Sequence, residues 1–258
     1  MEKITTLGRS FFAIAMVASG IQQLINADFV RLVPKLPAWI PWHPFWACLV
    51  GVILIVAGWA VILGKSARWA ATVLGGMFLV TFLFQRVPEI ISNPLAGFMW
   101  TNPCKVLALL GGALIVAGIP PGGNVGKSSA VAGLAGKLQF LGPVSLGVFL
   151  LVCGIQHFVY AAFVDTLVPV WMPPGLRFWT YFTGTALIAG GVGILLPKTV
   201  RWAAMMSGVM IFLWVLLLHI PRAVADPHNA GETSAIFEAL ALSGVCFLVA
   251  GTRAKRVG

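Results

Sequence analysis

The chain has 258 residues, 59% of them hydrophobic and 9% charged, with a mean hydropathy of +0.97, a composition that excludes an ordinary soluble domain. Its net charge of +10 does not point to nucleic acid, because the basic residues flank apolar runs instead of clustering on a polar surface. Strand-period alternation is absent, which argues against a membrane barrel, and Cys48, Cys104, Cys153 and Cys246 form no Cys-x-x-Cys pair suited to a thiol relay or structural zinc.

Apolar runs of about 20 residues predict helices that cross a bilayer, the spanning element that pairs its own backbone groups. In chain order the expected spans are 8–26, 44–63, 67–87 and 103–119, then 143–163, 177–196, 200–220 and 234–252. The first follows Lys3 and Arg9 and resembles a cleavable signal peptide, but it has an internal counterpart at 143–163 and is expected to remain. Between the first two spans stands "LVPKLPAWIPWHPFWACLVG", residues 32–51, and between the fifth and sixth "LVPVWMPPGLRFWTYFTG", residues 167–184. Their prolines stop helices and their aromatics suit the headgroup layer, so both are expected to be interfacial loops.

An offset of about 133 positions brings the two halves into register. "GIQQL" at 20–24 meets "GIQHF" at 154–158, and "KSARWAA" at 65–71 meets "KTVRWAA" at 198–204. Gly51 meets Gly184, Pro88 meets Pro221 and Gly111 meets Gly244. These matches predict a tandem duplication: a first four-helix repeat over 1–120, a Gly-rich cytoplasmic linker over 121–142 and a second repeat over 143–258. In the linker "GGNVGKS" is no phosphate-binding loop, since Pro121 stands where the first Gly is needed and no strand precedes it.

Four spans per half make a parallel repeat, with both termini on one side. That side carries eleven Lys and Arg and one acid, against six Lys and Arg and six acids on the other, which places the termini in the cytoplasm. Lys65, Arg68, Lys198 and Arg201 mark the cytoplasmic starts of the third and seventh spans and are expected to anchor against anionic headgroups.

Each half resembles the DoxX/DoxD-like membrane family, the second more closely, through "GIQHF", "LVPVWMPP", "FWTYFTGTALIAGGVGILL" and "KTVRWAAMMSGVMIFLWVLLLHIPR". The resemblance implies an all-α membrane protein in a bacterial-type inner membrane, eight transmembrane helices arranged as two parallel four-helix bundles. It also implies an association with quinone-linked respiratory or sulfur-oxidising complexes, hence a membrane redox partner subunit beside the lipid bilayer. The first half departs from the second by Gln23 in place of His157, Cys48 in place of Tyr181 and Arg86 in place of His219.

Polar groups inside spans mark the candidate site, because a bilayer tolerates them only beside a partner or a cavity. Gln156, His157, Tyr181 and His219 all fall in the outer part of the second half, beneath Trp171 and Trp179. Together they suit a quinone headgroup: His, Tyr and Gln bond its oxygens and the indoles offer flat surfaces. The competing expectation is that His157, Tyr181 and His219 hydrogen-bond one another and merely tie the helices together. No metal site is expected from the spacing of His43, His157, His219 and His228, and haem ligation by His157 and His219 is the less favoured cofactor. Whether the protein is an enzyme stays open, and a carrier for a lipophilic solute or a scaffold without a small-molecule site are the alternatives. Arg86 is expected to pair with Glu89, and Asp226, His228 and Glu232 to be solvated loop residues.

Overall fold

The computed structural model describes residues 2–30, 39–64, 66–93, 100–119 and 130–253. Outside these lie Arg31, Lys35, Lys65, Lys127, Lys255 and Arg256, part of the first Val-Pro passage and the first half of the expected linker. The described residues are helical, with no strand among them.

Ten helices follow: α1 (Glu2–Asn26), α2 (His43–Leu63), α3 (Ala67–Ser92), α4 (Thr101–Ala117), α5 (Ala130–Leu138), α6 (Leu141–Val159), α7 (Ala161–Asp165), α8 (Leu176–Leu195), α9 (Val200–Ala225) and α10 (Ala230–Arg253). Among the described residues seven segments are long and apolar enough to cross a membrane, namely α1, α2, α3, Gly136–Val159, α8, α9 and Ala230–Thr252. α4 is apolar but has only 17 residues, about 26 Å at 1.5 Å per residue. The segment Ala130–Leu138 is helical where a Gly-rich linker was expected to run on to 142, because its alanines and leucines favour helix over coil.

Two helices run past their expected ends. The third and seventh spans were expected over 67–87 and 200–220, yet both helices continue through Pro88 and Pro221 for more than a turn, to Ser92 and Ala225. Each proline is preceded by a π-helical turn, Phe82–Arg86 in α3 and Val215–His219 in α9. In these turns the Val87 N–H donates to Phe82 O and the Ile220 N–H to Val215 O, so the ladder widens just where proline has no N–H and its ring crowds the preceding turn. Elsewhere the helix ends follow local chemistry. Gly64, at φ 83°, closes α2 in the left-handed conformation with its N–H on Ala60 O.

The two halves do not form separate four-helix bundles. α1 packs along α2 and, as extensively, along α10 of the other half, while α4 packs on both α3 and α6. Neighbouring helices α2–α3, α6–α8, α8–α9 and α9–α10 complete one ring-like bundle, and α4 and α10 meet inside it. Hydropathy along the chain carries no information about which half a helix face meets, so this interleaving was not readable from the spans. α10 is the most enclosed span, with Val245, Cys246, Leu248, Val249 and Ala250 fully buried.

Glycine sets the closest crossings. A side chain on Gly20 would begin 2.5 Å from Gly51 O, and one on Gly154 2.8 Å from Gly184 O. The same holds between halves, where a side chain on Gly244 would begin 2.8 Å from Gly8 O and one on Gly111 2.7 Å from Gly142 Cα. Such contact is how membrane helices gain packing when lipid is as apolar as the core. The crossings recur at offsets of 133 or 134, as do the two π-helical turns.

The chain termini, α5 and the starts of α3 and α9 share one end of the bundle, shown by the Gly251 approach to Thr5; this is the terminal end. The starts of α2, α4, α8 and α10 form the opposite, loop end.

Candidate functional site

The candidate residues all lie toward the loop end, but in three separate settings. Gln156 and His157 sit on the last turn of α6. The Thr101 hydroxyl of α4 donates to Gln156 Oε1, and His157 Nδ1 bonds Cys153 O of its own helix at 2.7 Å. Since a carbonyl only accepts, Nδ1 carries the proton and Nε2 is the acceptor. Gly184 of α8 lets the His157 Cβ come close, as a side chain there would begin 2.7 Å from it.

His219 closes the π-helical turn of α9, and its Nδ1 is buried with no hydrogen-bond partner among the described residues. A buried ring nitrogen without a partner is costly, and such atoms in a native fold call for an explanation. The charges that act on this ring are those of Lys105 of α4, Arg222 of α9, and Glu232 and Glu238 of α10. All four are paired: Lys105 with Glu238, and Arg222 with Glu232 through bonds of 2.9 and 2.6 Å. Glu232 is thus held in the first turn of α10 and is not the solvated loop residue expected; the helix begins four residues before the expected 234.

The aromatic members face outward. Tyr181 is 40% exposed and its ring stacks on Phe158 at 5.4 Å, while its hydroxyl accepts from Arg177 at 3.3 Å. Arg177 also pairs with Asp165 at 2.7 Å, and the Thr180 hydroxyl donates to the same carboxylate. The Trp179 indole donates to Pro173 O at 2.9 Å and its ring meets Phe178 and Phe182 edge-on. Trp171 is 63% exposed. The rings of Phe178, Trp179, Tyr181 and Phe182 form a ledge on the outside of α8, and Trp171 stands exposed in the loop before it. His157 adjoins the ledge through Phe158, its neighbour in sequence; among the described residues no hydrogen bond links His157, Tyr181 and His219 to one another.

At the matching places the first half fills its valences internally. Gln23 is fully buried, donating to Ala47 O and accepting from the Val30 N–H. Arg86 grips Glu89 with bonds of 2.9 and 2.8 Å, as expected. Gln22 donates to Ala230 O and accepts from the Ser234 hydroxyl, a clasp between α1 and α10 that reproduces the Gln156–Thr101 clasp between α6 and α4. Gln85 Oε1 is buried without a partner among the described residues.

The residues missed in the sequence are Thr101, Lys105, Ser234 and Glu238. Offset 133 carries Thr101 to Ser234 and Lys105 to Glu238, so the alignment of the halves contained the signal. No group of three or more His, Cys, Asp or Glu among the described residues is placed to hold a metal ion. A shallow depression of about 520 Å³ lined by Glu2, Lys3, Thr6, Leu7 and Ser10 lies at the other end of the bundle, away from all of these groups.

An all-helical fold with seven membrane-length apolar helices and polar groups paired inside it defines a multi-pass integral membrane protein. Residues 4–86 match the model of the DoxX family, so that this part of the chain is similar to that family. Residues 146–252 match a Domain of unknown function (DUF8561), so the DoxX match falls on the first half, where the sequence motifs had put the closer resemblance in the second. Neither a curated protein nor a solved structure matches the chain.

Proposed function

We propose that this protein binds the headgroup of a neutral, lipid-soluble redox molecule, of the quinone class, at the loop end of its second half. The observation that carries the reading is the buried, unpartnered His219 Nδ1. A carbonyl or hydroxyl of a headgroup would satisfy it, as donor or acceptor according to the tautomer. His157 Nε2 supplies a second acceptor, and the ledge of Tyr181 and Trp179, together with Trp171 before it, offers aromatic surface open to the bilayer, with Gln156 holding α6 to α4 behind it. Charge selects a neutral ligand: Lys105, Arg177 and Arg222 each already face a carboxylate. A bound quinone would supply reversible two-electron, two-proton chemistry, for which the chain offers imidazoles to hold or move a proton.

In this reading the protein is a tandem duplication with eight spans, α4 being the short eighth, and only the second repeat retains the site. The excess of Lys and Arg at the terminal end puts that end in the cytoplasm of a bacterial-type cell and the site near the outer face. A membrane redox subunit is the natural partner for such a site.

Purified protein in mild detergent tests the proposal through an absorption spectrum and mass spectrometry of its organic extract, comparing wild type with His219→Leu. A quinone near one per chain that disappears in the variant is the expected result. Extracts free of any isoprenoid from both proteins would overturn the reading and favour a scaffold.

A further inference from the structure

We propose that the terminal end of the bundle holds an anionic phospholipid headgroup between Arg9 and Arg68, at the turn that joins α2 to α3. The charges of the two ends are arranged differently. All four ion pairs among the described residues lie toward the loop end, and so do all described carboxylates except Glu2. Arg9, Arg68 and Arg201, on helices whose outer faces are apolar, and Lys198, in the turn between α8 and α9, form no ion pair among the described residues. Guanidinium groups at a bilayer edge need counter-charge, and phosphodiester headgroups are the anions present there at high local concentration.

Two of these cations, Arg9 and Arg68, flank the end of α2 in the first half. Gly64 closes α2 at φ 83° and Arg68 follows within the first turn of α3. Arg9 reaches across from α1: its Nη1 lies 4.0 Å from the point where a side chain on Gly64 would begin. Arg68 Nε is buried and has no hydrogen-bond partner among the described residues. That N–H is a donor without an acceptor there, which a phosphate oxygen would remedy. Beside it Trp69 is 58% exposed, placing an indole at headgroup depth. The matching turn of the second half is built otherwise. Pro143 stands at the place of Arg9 and Pro197 at that of Gly64, and Arg201 lies over the Trp202 ring at 5.5 Å. The site therefore belongs to the first half, opposite in both end and repeat to the proposed quinone site.

Native mass spectrometry of the full chain, delipidated and then titrated with phosphatidylglycerol, phosphatidylcholine or inorganic phosphate, tests this directly. Wild type is expected to retain one phosphatidylglycerol on the order of tenfold more tightly than phosphatidylcholine, and the Arg9→Gln/Arg68→Gln variant to lose that preference. Arg9→Lys/Arg68→Lys, which keeps charge but not the fork, serves as the folded reference, with part of the preference kept. Equal retention of both lipids by wild type, or an unchanged preference in Arg9→Gln/Arg68→Gln, would overturn the proposal. So would competition by millimolar inorganic phosphate as effective as that by the lipid, which would make this a free-anion site. The readout is independent of His219, so it stands or falls apart from the quinone reading.

Discussion

Lys105 and Glu238, 133 positions apart in the chain, form an ion pair with each other where α4 meets α10. In the duplication proposed above each is the other's counterpart, and the pair lies on the axis that would relate the halves. In a pair of identical repeats that position would set like charge against like. Two different halves in one chain allow opposite signs, and the bundle uses them at its centre.

Reversing either charge is therefore expected to be severe, and reversing both mild. Lys105→Glu or Glu238→Lys leaves two like charges in a site where the side chains are 16% and 6% exposed, and should destabilise by about 3 kcal/mol or more. The exchange Lys105→Glu/Glu238→Lys should recover most of that loss. Thermal unfolding of the four proteins in one detergent decides the matter; an exchange variant no better than the singles would show that the pair has little coupling.

His219→Leu separates binding from folding. Because the ring Nδ1 has no partner among the described residues, an apolar side chain of similar size removes a desolvation cost and no hydrogen bond seen there. The variant should unfold at or above the wild-type temperature while losing the copurifying ligand. A marked fall in unfolding temperature in ligand-free protein would mean that His219 is a structural tie after all.

Gly191→Leu tests the close crossing of α6 and α8. A side chain on Gly191 would begin 2.8 Å from Gly147 O and 2.7 Å from Leu151 Cγ, so the helices must separate to admit it. Destabilisation of at least about 2 kcal/mol is expected, visible as aggregation or a lowered midpoint on heating. Wild-type behaviour would show that the crossing is looser than drawn.

The two Gln clasps should behave alike. Gln22→Leu frees Ser234 from its partner on α1, and Gln156→Leu frees Thr101 from its partner on α6. Each is expected to cost about 1 kcal/mol, the size of a typical interhelical hydrogen bond in a membrane. Their effects should add in the double variant, because the sites share no partner. Strong non-additivity in unfolding measurements would mean that the clasps report one cooperative element.

Much of this architecture was legible because it depends on local chemistry. The run of apolar residues before Gly64 located α2 to within a residue, and the Arg86–Glu89 pair followed from helical spacing. What escaped depended on tertiary context. The third and seventh spans read as ending at 87 and 220 because a π-helical turn that carries a helix through Pro88 or Pro221 leaves no mark on hydropathy. Glu232 read as a loop residue because its partner, Arg222, is fixed by the fold and not by spacing. For the candidate site, the sequence placed Gln156, His157, Tyr181 and His219 at one depth but could not give their rotation about each helix. The structure turns Tyr181 outward onto Phe158 and leaves His219 inside, among charges.

The central position of α10 bears on how the molecule is made. In the chain it follows every helix it touches, yet it supplies the surface on which α1, α4 and α9 come to rest. Until it enters the bilayer, the Gly8 face of α1 and the Lys105 side of α4 have only lipid or water to meet. Closure of this bundle must then be a late event, after insertion, and the earlier helices must wait in the membrane as a loose and partly polar assembly that chaperoning insertases would need to shield.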